Sequence, residues 1–195
     1  GIGHIVLVLQ RSGLHRIFQY ARGISDRKRL IHPGGEESCP VRSAANVQLP
    51  DAPPTFLLEM IPDFIELNVQ VAIIGDVAQN DAFGADILYK LKKHAEQHPS
   101  LIFVSKFSVE LEKQSAAAGD MFYMCSLFEP CGISNQHAAK YGAVVLGTPV
   151  GGIMNTTVDY RTEPKNGTGF LSQQVNTNSI RDAMKSAVKI YYNDK

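Results

Sequence analysis

At 195 residues the chain is long enough to bury a sizeable core and is most simply read as one folded unit. Its composition, 44% hydrophobic and 19% charged with a formal net charge of zero, is that of a globular protein and gives no electrostatic ground for a nucleic-acid partner. No apolar run reaches the length of a membrane span, and the first residues lack a charged stretch followed by an apolar one. Neither a membrane partner nor a secretory leader is therefore expected. The three cysteines, Cys39, Cys125 and Cys131, form no Cys-x-x-Cys pair, so metal ligation and a disulfide framework are both unexpected and a reducing compartment is the default. The zero net charge hides an asymmetry. Residues 1–46 carry seven basic side chains against three acidic ones, including the run Arg27-Lys28-Arg29. Two glycosylation-like triplets, at Asn155 and Asn166, are read as chance.

In chain order, short apolar runs alternate with amphipathic stretches, the pattern of an α/β domain with a parallel sheet. Residues 5–9 read as a first strand, and residues 32–54, rich in Pro, Gly, Ser and Asn, as a long loop. From Thr55, Phe56, Leu57, Met60, Ile61, Phe64 and Ile65 recur at helical spacing and predict a helix with a core-directed face. A buried strand is expected at 69–74, a helix at 82–97, a strand at 101–104 and a helix at 109–118. A strand at 121–125 then leads into a turn around Glu129 and a helix. Another strand at 143–146 leads to a loop at Gly151-Gly152. A last helix is expected from Asn178, read as its N-cap, with Ile180, Met184, Val188 and Tyr191 on one face.

The stretch from Ser126 to Tyr141 carries the most chemistry. An apolar strand there delivers one carboxylate, Glu129, to a Pro130-Cys131-Gly132 turn that opens a helix. The free N–H groups of Cys131, Gly132 and Ile133 would point outward, where the helix dipole favours negative charge. Gly132 would let the backbone approach a ligand closely, and the carboxylate can accept hydrogen bonds from hydroxyls. In a parallel α/β sheet, ligands bind beyond the carboxyl ends of the strands. The Glu129 turn, the Gly151-Gly152 loop and Ser105-Lys106-Phe107 each follow a strand, so all three should converge on one edge.

Phe128-Glu-Pro-Cys-Gly-Ile133, then Lys140-Tyr-Gly142, Gly151-Gly-Ile153 and Gly167-Thr-Gly-Phe170 resemble the C-terminal half of bacterial glycogen synthases and plant starch synthases over residues 55–190. The resemblance implies a retaining glucosyltransferase of GT-B architecture. This chain would supply its Rossmann-like nucleotide-binding lobe, a parallel sheet with helices on both faces. The lobe is expected over residues 47–195, after a divergent basic segment at 1–46. The implied partners are a nucleotide sugar (ADP-glucose or UDP-glucose), an α-1,4-glucan acceptor and an N-terminal lobe, without which the chain is expected to be inactive. No metal or cofactor is implied beyond the donor, and the location would be cytoplasmic, or the plastid if the source is a plant or alga. In the family, the residue at the place of Glu129 holds the donor glucose. The amides at Cys131, Gly132, Ile133 and Ser134 would contact sugar and diphosphate, and Gly151 and Gly152 would complete the loop. Phe107 takes the place of a base-stacking aromatic, commonly Tyr, and His137 that of a ribose-side residue, often Glu.

The sequence also departs from that pattern. Val150 stands where the Gly-Gly loop of the family begins with Thr, and Asn155 stands for an Asp. The Arg and the Lys-Gly that clamp the donor phosphates fall, counted without gaps, on Val47 and Ala52. Arg42 would take over that charge only through a gap in the correspondence. These losses motivate an alternative: a degenerate, non-catalytic module that binds glucan or a protein partner.

Overall fold

The computed structural model describes residues 6–10, 53–75, 77, 81–105 and 108–193. They form a six-stranded sheet in the order β3-β2-β1-β4-β5-β6. The strands are β1 (Val6–Gln10), β2 (Gln70–Ile74), β3 (Leu101–Val104), β4 (Met121–Met124), β5 (Val144–Gly147) and β6 (Gly169–Leu171). The helices are α1 (Pro53–Glu66), α2 (Ala82–Gln97), α3 (Val109–Ala118), α4 (Ile133–Lys140), α5 (Gly151–Thr156) and α6 (Thr177–Asn193).

Alternation along the strands explains why the helices divide between two faces. Val71 and Ile73 of β2, Met121 and Tyr123 of β4, Leu146 of β5 and Phe170 of β6 turn to one side. There they join α1, α2 and α6 in the larger core. Ala72, Ile74 and Phe122 turn to the other side and meet Ala116 of α3 and Ala138 of α4. The second face is lined largely by alanines, so α3 and α4 need only weakly apolar inner surfaces. In α6, Ile180, Met184 and Val188 are buried at the spacing expected from the sequence. Asp81 caps α2 by accepting from the N–H of Gly84 at 2.8 Å, and Ser108 caps α3 by accepting from Leu111 at 3.1 Å.

The α/β class with helices on both faces is as expected, and β2 through β6 all run the same way. β1 is the exception: it lies in the middle of the sheet, antiparallel to both β2 and β4. The sheet therefore draws on both sides of the expected boundary at residues 46/47. Three local readings are corrected. Helix α1 starts at Pro53, inside the expected loop, because proline is well tolerated in a first helical turn. Helix α6 starts at Thr177 and is capped by Asn176, whose side chain accepts from the N–H of Ser179 at 2.9 Å; Asn178 instead receives a bond from Arg181. The segment after Val150, read as a loop, is the short helix α5, and β6 is a strand too short to stand out as an apolar run.

Because β2 and β4 are both antiparallel to β1, the carboxyl ends of β2 to β6 lie on one edge. The strand order reverses between β1 and β4, where an open α/β sheet forms its crevice. The turn that follows β4 lies at that point.

Candidate functional site

β4 delivers Cys125 to Gly132 to this edge. Cys125 is buried, and that burial pushes its thiol up to about 12, so it is a packing residue rather than a nucleophile. The end of β4 is tied to the end of β5 by Thr148, whose hydroxyl donates to the Ser126 carbonyl at 2.6 Å. The chain then turns outward: Phe128 is 71% exposed, Glu129 is half-buried and Gly132 is buried.

Gly132 has φ +67, in the left-handed region. A Cβ there would lie 2.3 Å from the Asn135 Oδ1. Its N–H, expected to point outward, is instead taken by Glu129 Oε1 at 2.9 Å. Glu129 therefore folds back on its own turn, and one of its oxygens serves as a helix cap. Among the described residues no donor reaches the other oxygen, and no acceptor meets the N–H groups of Cys131, Ile133 and Ser134. Three of the four expected peptide donors remain open at the start of α4, beside one unoccupied carboxylate oxygen.

The Gly151-Gly152 pair packs directly on this turn. The Gly152 N–H donates to the Glu129 carbonyl at 2.8 Å. A Cβ on Gly151 would meet that same carbonyl oxygen at 2.1 Å, and one on Gly152 would meet the Cys131 carbonyl carbon at 2.1 Å. These glycines are needed so that one backbone can lie against another. Two of the three segments expected to converge are thus in contact.

The remaining expected residues are placed differently. His137, on α4, has Glu112 of α3 as its polar neighbour, with Nδ1 and Oε1 4.0 Å apart, beyond hydrogen-bond distance. Ser105 follows β3, which is three strand positions from β4, roughly 14 Å across the sheet. Phe107, Lys106, Arg42, Val47 and Ala52 lie outside the described residues. Both arginines among the described residues are engaged: Arg161 by Asp159 and Arg181 by Asp63. Among the described residues no group of three or more His, Cys, Asp or Glu side chains is placed to hold a metal ion, and no helix is long and apolar enough to cross a membrane.

Sequence reasoning missed several residues that build the site. Asn135 is 1% exposed, and its Nδ2 donates to Thr156 Oγ1 of α5 at 2.9 Å. Asp159 accepts from the Leu171 N–H at 2.9 Å and pairs with Arg161, which also donates to the Leu171 carbonyl, so the link between α5 and β6 is fastened to β6. Burial opposes the charge on Asp159, but the Arg161 guanidinium and the two amides outweigh it and hold the carboxyl below its ordinary range. A buried Asn is not distinguishable from a surface one in a helix this short, and no periodicity marks it.

No family model matches the chain. Curated relatives do. Glycogen synthase from Aeromonas salmonicida (strain A449) is 32% identical over 139 residues, 71% of this chain and 27% of the relative. Glycogen synthase from Streptococcus mutans serotype c is 40% identical over 140 residues, 71% of this chain and 28% of the relative. This chain has partial homology to glycogen synthases. It spans about a quarter of the length of the glycogen synthases it matches. The fold is likewise that of a solved starch synthase region. The catalytic domain of starch synthase IV from Arabidopsis thaliana, bound to ADP and acarbose, superposes with a TM-score of 0.65 at 23% identity, covering 76% of this chain and 30% of that one. The glycogen and starch synthase resemblance read from the sequence is thus upheld.

Proposed function

We propose that the chain is the nucleotide-sugar lobe of a glycogen or starch synthase-like, retaining glucosyltransferase of GT-B type, binding ADP-glucose or UDP-glucose for transfer to an α-1,4-glucan. The observation that carries this reading is the Glu129 turn at the strand-order reversal. Among the described residues it presents three open N–H groups at a helix start beside a free carboxylate oxygen. The carboxylate would accept hydroxyl protons of the donor glucose, while the amides of Cys131, Ile133 and Ser134 face its diphosphate. As the glucosyl group departs with oxocarbenium character, negative charge grows on the leaving diphosphate. Fixed N–H dipoles stabilise that charge without reorganising. Gly132 contributes by shape and by holding Glu129, and Gly151 and Gly152 by letting α5 close against the turn. Phe107 as base-stacking aromatic and His137 as ribose-side residue complete the proposed site. Residues 47–195 form the lobe in this reading, with β1 from the divergent segment inserted into its sheet, and elongation requires a second, acceptor-binding lobe.

Calorimetry with ADP, ADP-glucose, UDP and maltoheptaose tests it. The proposal expects micromolar nucleotide binding and no chain growth when the 195-residue chain is incubated with ADP-glucose and maltoheptaose. Robust growth would overturn the second expectation, and absence of nucleotide binding the first. A second reading, a non-catalytic module, is supported by Val47 and Ala52 standing where the family has cations and by both described arginines being engaged elsewhere. Binding of maltoheptaose without any nucleotide would favour it.

A further inference from the structure

A chain of hydrogen bonds links the Glu129 turn to the end of α5. Thr156, at the end of α5, donates its hydroxyl proton to the Gly152 carbonyl at 2.6 Å. A hydroxyl has one proton, so toward Asn135 the same oxygen can only accept. That fixes the Asn135 amide: Nδ2 faces Thr156 at 2.9 Å, and Oδ1 turns toward the left-handed Gly132. Gly152 in turn donates to the Glu129 carbonyl at 2.8 Å, and the Glu129 side chain accepts from Gly132 at 2.9 Å. Residue by residue the path is Asn135, Thr156, Gly152, Glu129, Gly132, returning to the turn from which α4 begins.

The arrangement leaves Asn135 Oδ1 buried with no donor among the described residues, an orientation that costs stability. The geometry points to Asn135 and Thr156 as positioning residues. They set the spacing between the Glu129 turn and the Gly151-Gly152 loop, and so keep the Cys131, Ile133 and Ser134 amides aimed at one anionic ligand. This rests on the donor-binding reading above, and the ligand is the diphosphate of a nucleotide sugar. Neither residue touches that ligand; both act through Gly152 and Glu129.

Thr156→Val removes the hydroxyl but keeps the shape, and the exposed setting of Thr156 makes it tolerable to the fold. Thr156→Ser keeps the hydroxyl, and Asn135→Asp replaces the donor by a second acceptor. Two readouts are taken on the 195-residue chain. The first is amide hydrogen exchange without ligand. Thr156→Val is expected to speed exchange at Gly152 and Gly132 by roughly tenfold while leaving Ile180 to Val188 in α6 unchanged, and Thr156→Ser to restore it. The second is calorimetry with ADP-glucose, where Thr156→Val and Asn135→Asp are each expected to weaken binding by roughly fivefold or more, and the double variant by little beyond either single one. Unchanged exchange in Thr156→Val overturns the inference. So does faster exchange with unaltered ADP-glucose affinity, or a loss that Thr156→Ser does not rescue. If the unsubstituted chain binds no ADP-glucose, the donor-binding reading falls, and the exchange result alone decides whether the two residues hold the loops together.

Discussion

At the scale of single residues, Glu129 has, in the proposed reading, two tasks that Glu129→Gln can separate. One oxygen holds the Gly132 N–H, and among the described residues the other has no donor. Glu129→Gln preserves an acceptor for Gly132 but loses the charge. Glu129→Ala loses both and should cost about 1 kcal/mol of stability in urea unfolding, the usual worth of a cap. Both variants should bind ADP-glucose more weakly, while only Glu129→Ala should lower the unfolding midpoint. Equal midpoints would show that the cap carries no stability. Gly152 has no such latitude. A methyl there would sit 2.1 Å from the Cys131 carbonyl carbon, a backbone atom that cannot swing aside. Gly152→Ala should therefore destabilise by roughly 1–3 kcal/mol, the range of overpacked sites. A variant as stable as the parent would show that α5 does not lie against the turn.

At the scale of elements, polar links join helices and strands that the sequence places far apart. Asp63 of α1 is 7% exposed and accepts from Arg181 of α6 at 2.7 Å, with Lys185 of the same helix at 3.4 Å. Thr177 at the start of α6 also donates to Glu59 of α1. Asp63→Ala should cost about 1–3 kcal/mol, most of it from the Arg181 bond, since the Lys185 arm is largely solvated. Asp159 gives a pH signature. Its folded pKa lies below the ordinary 3.8, so its contribution is fully present above that value and is lost as pH falls through the lower, folded one. Asp159→Asn should flatten that acid limb of the stability curve and leave the rest of its shape unaltered.

These elements also show what could be read in advance. The spans of α2, β3 and α3 match the expected 82–97, 101–104 and 109–118, because each is set by a local run of side chains. The Glu129 turn was legible because Pro, Cys and Gly interrupt an apolar strand just before a helix. The orientation of β1 was not legible, since an apolar run of five residues pairs equally well in either direction. Nor were the Asn135–Thr156 and Asp63–Arg181 links, which join residues 21 and 118 positions apart.

At the scale of the whole molecule, the sheet brings five parallel strand ends to one edge and puts the Glu129 turn where their order reverses. In the proposed reading, chain growth on a glucan depends on a second lobe facing this edge, whereas donor binding belongs to the edge itself. The most direct test is amide NMR of the 195-residue chain during titration with ADP-glucose. The account predicts the largest shifts at Cys131, Ile133 and Ser134, with Gly132 and Gly152 moving less because their N–H groups are already bonded within the protein. Saturating ADP-glucose that leaves those three amides unmoved, or that shifts a different edge of the sheet, would contradict it.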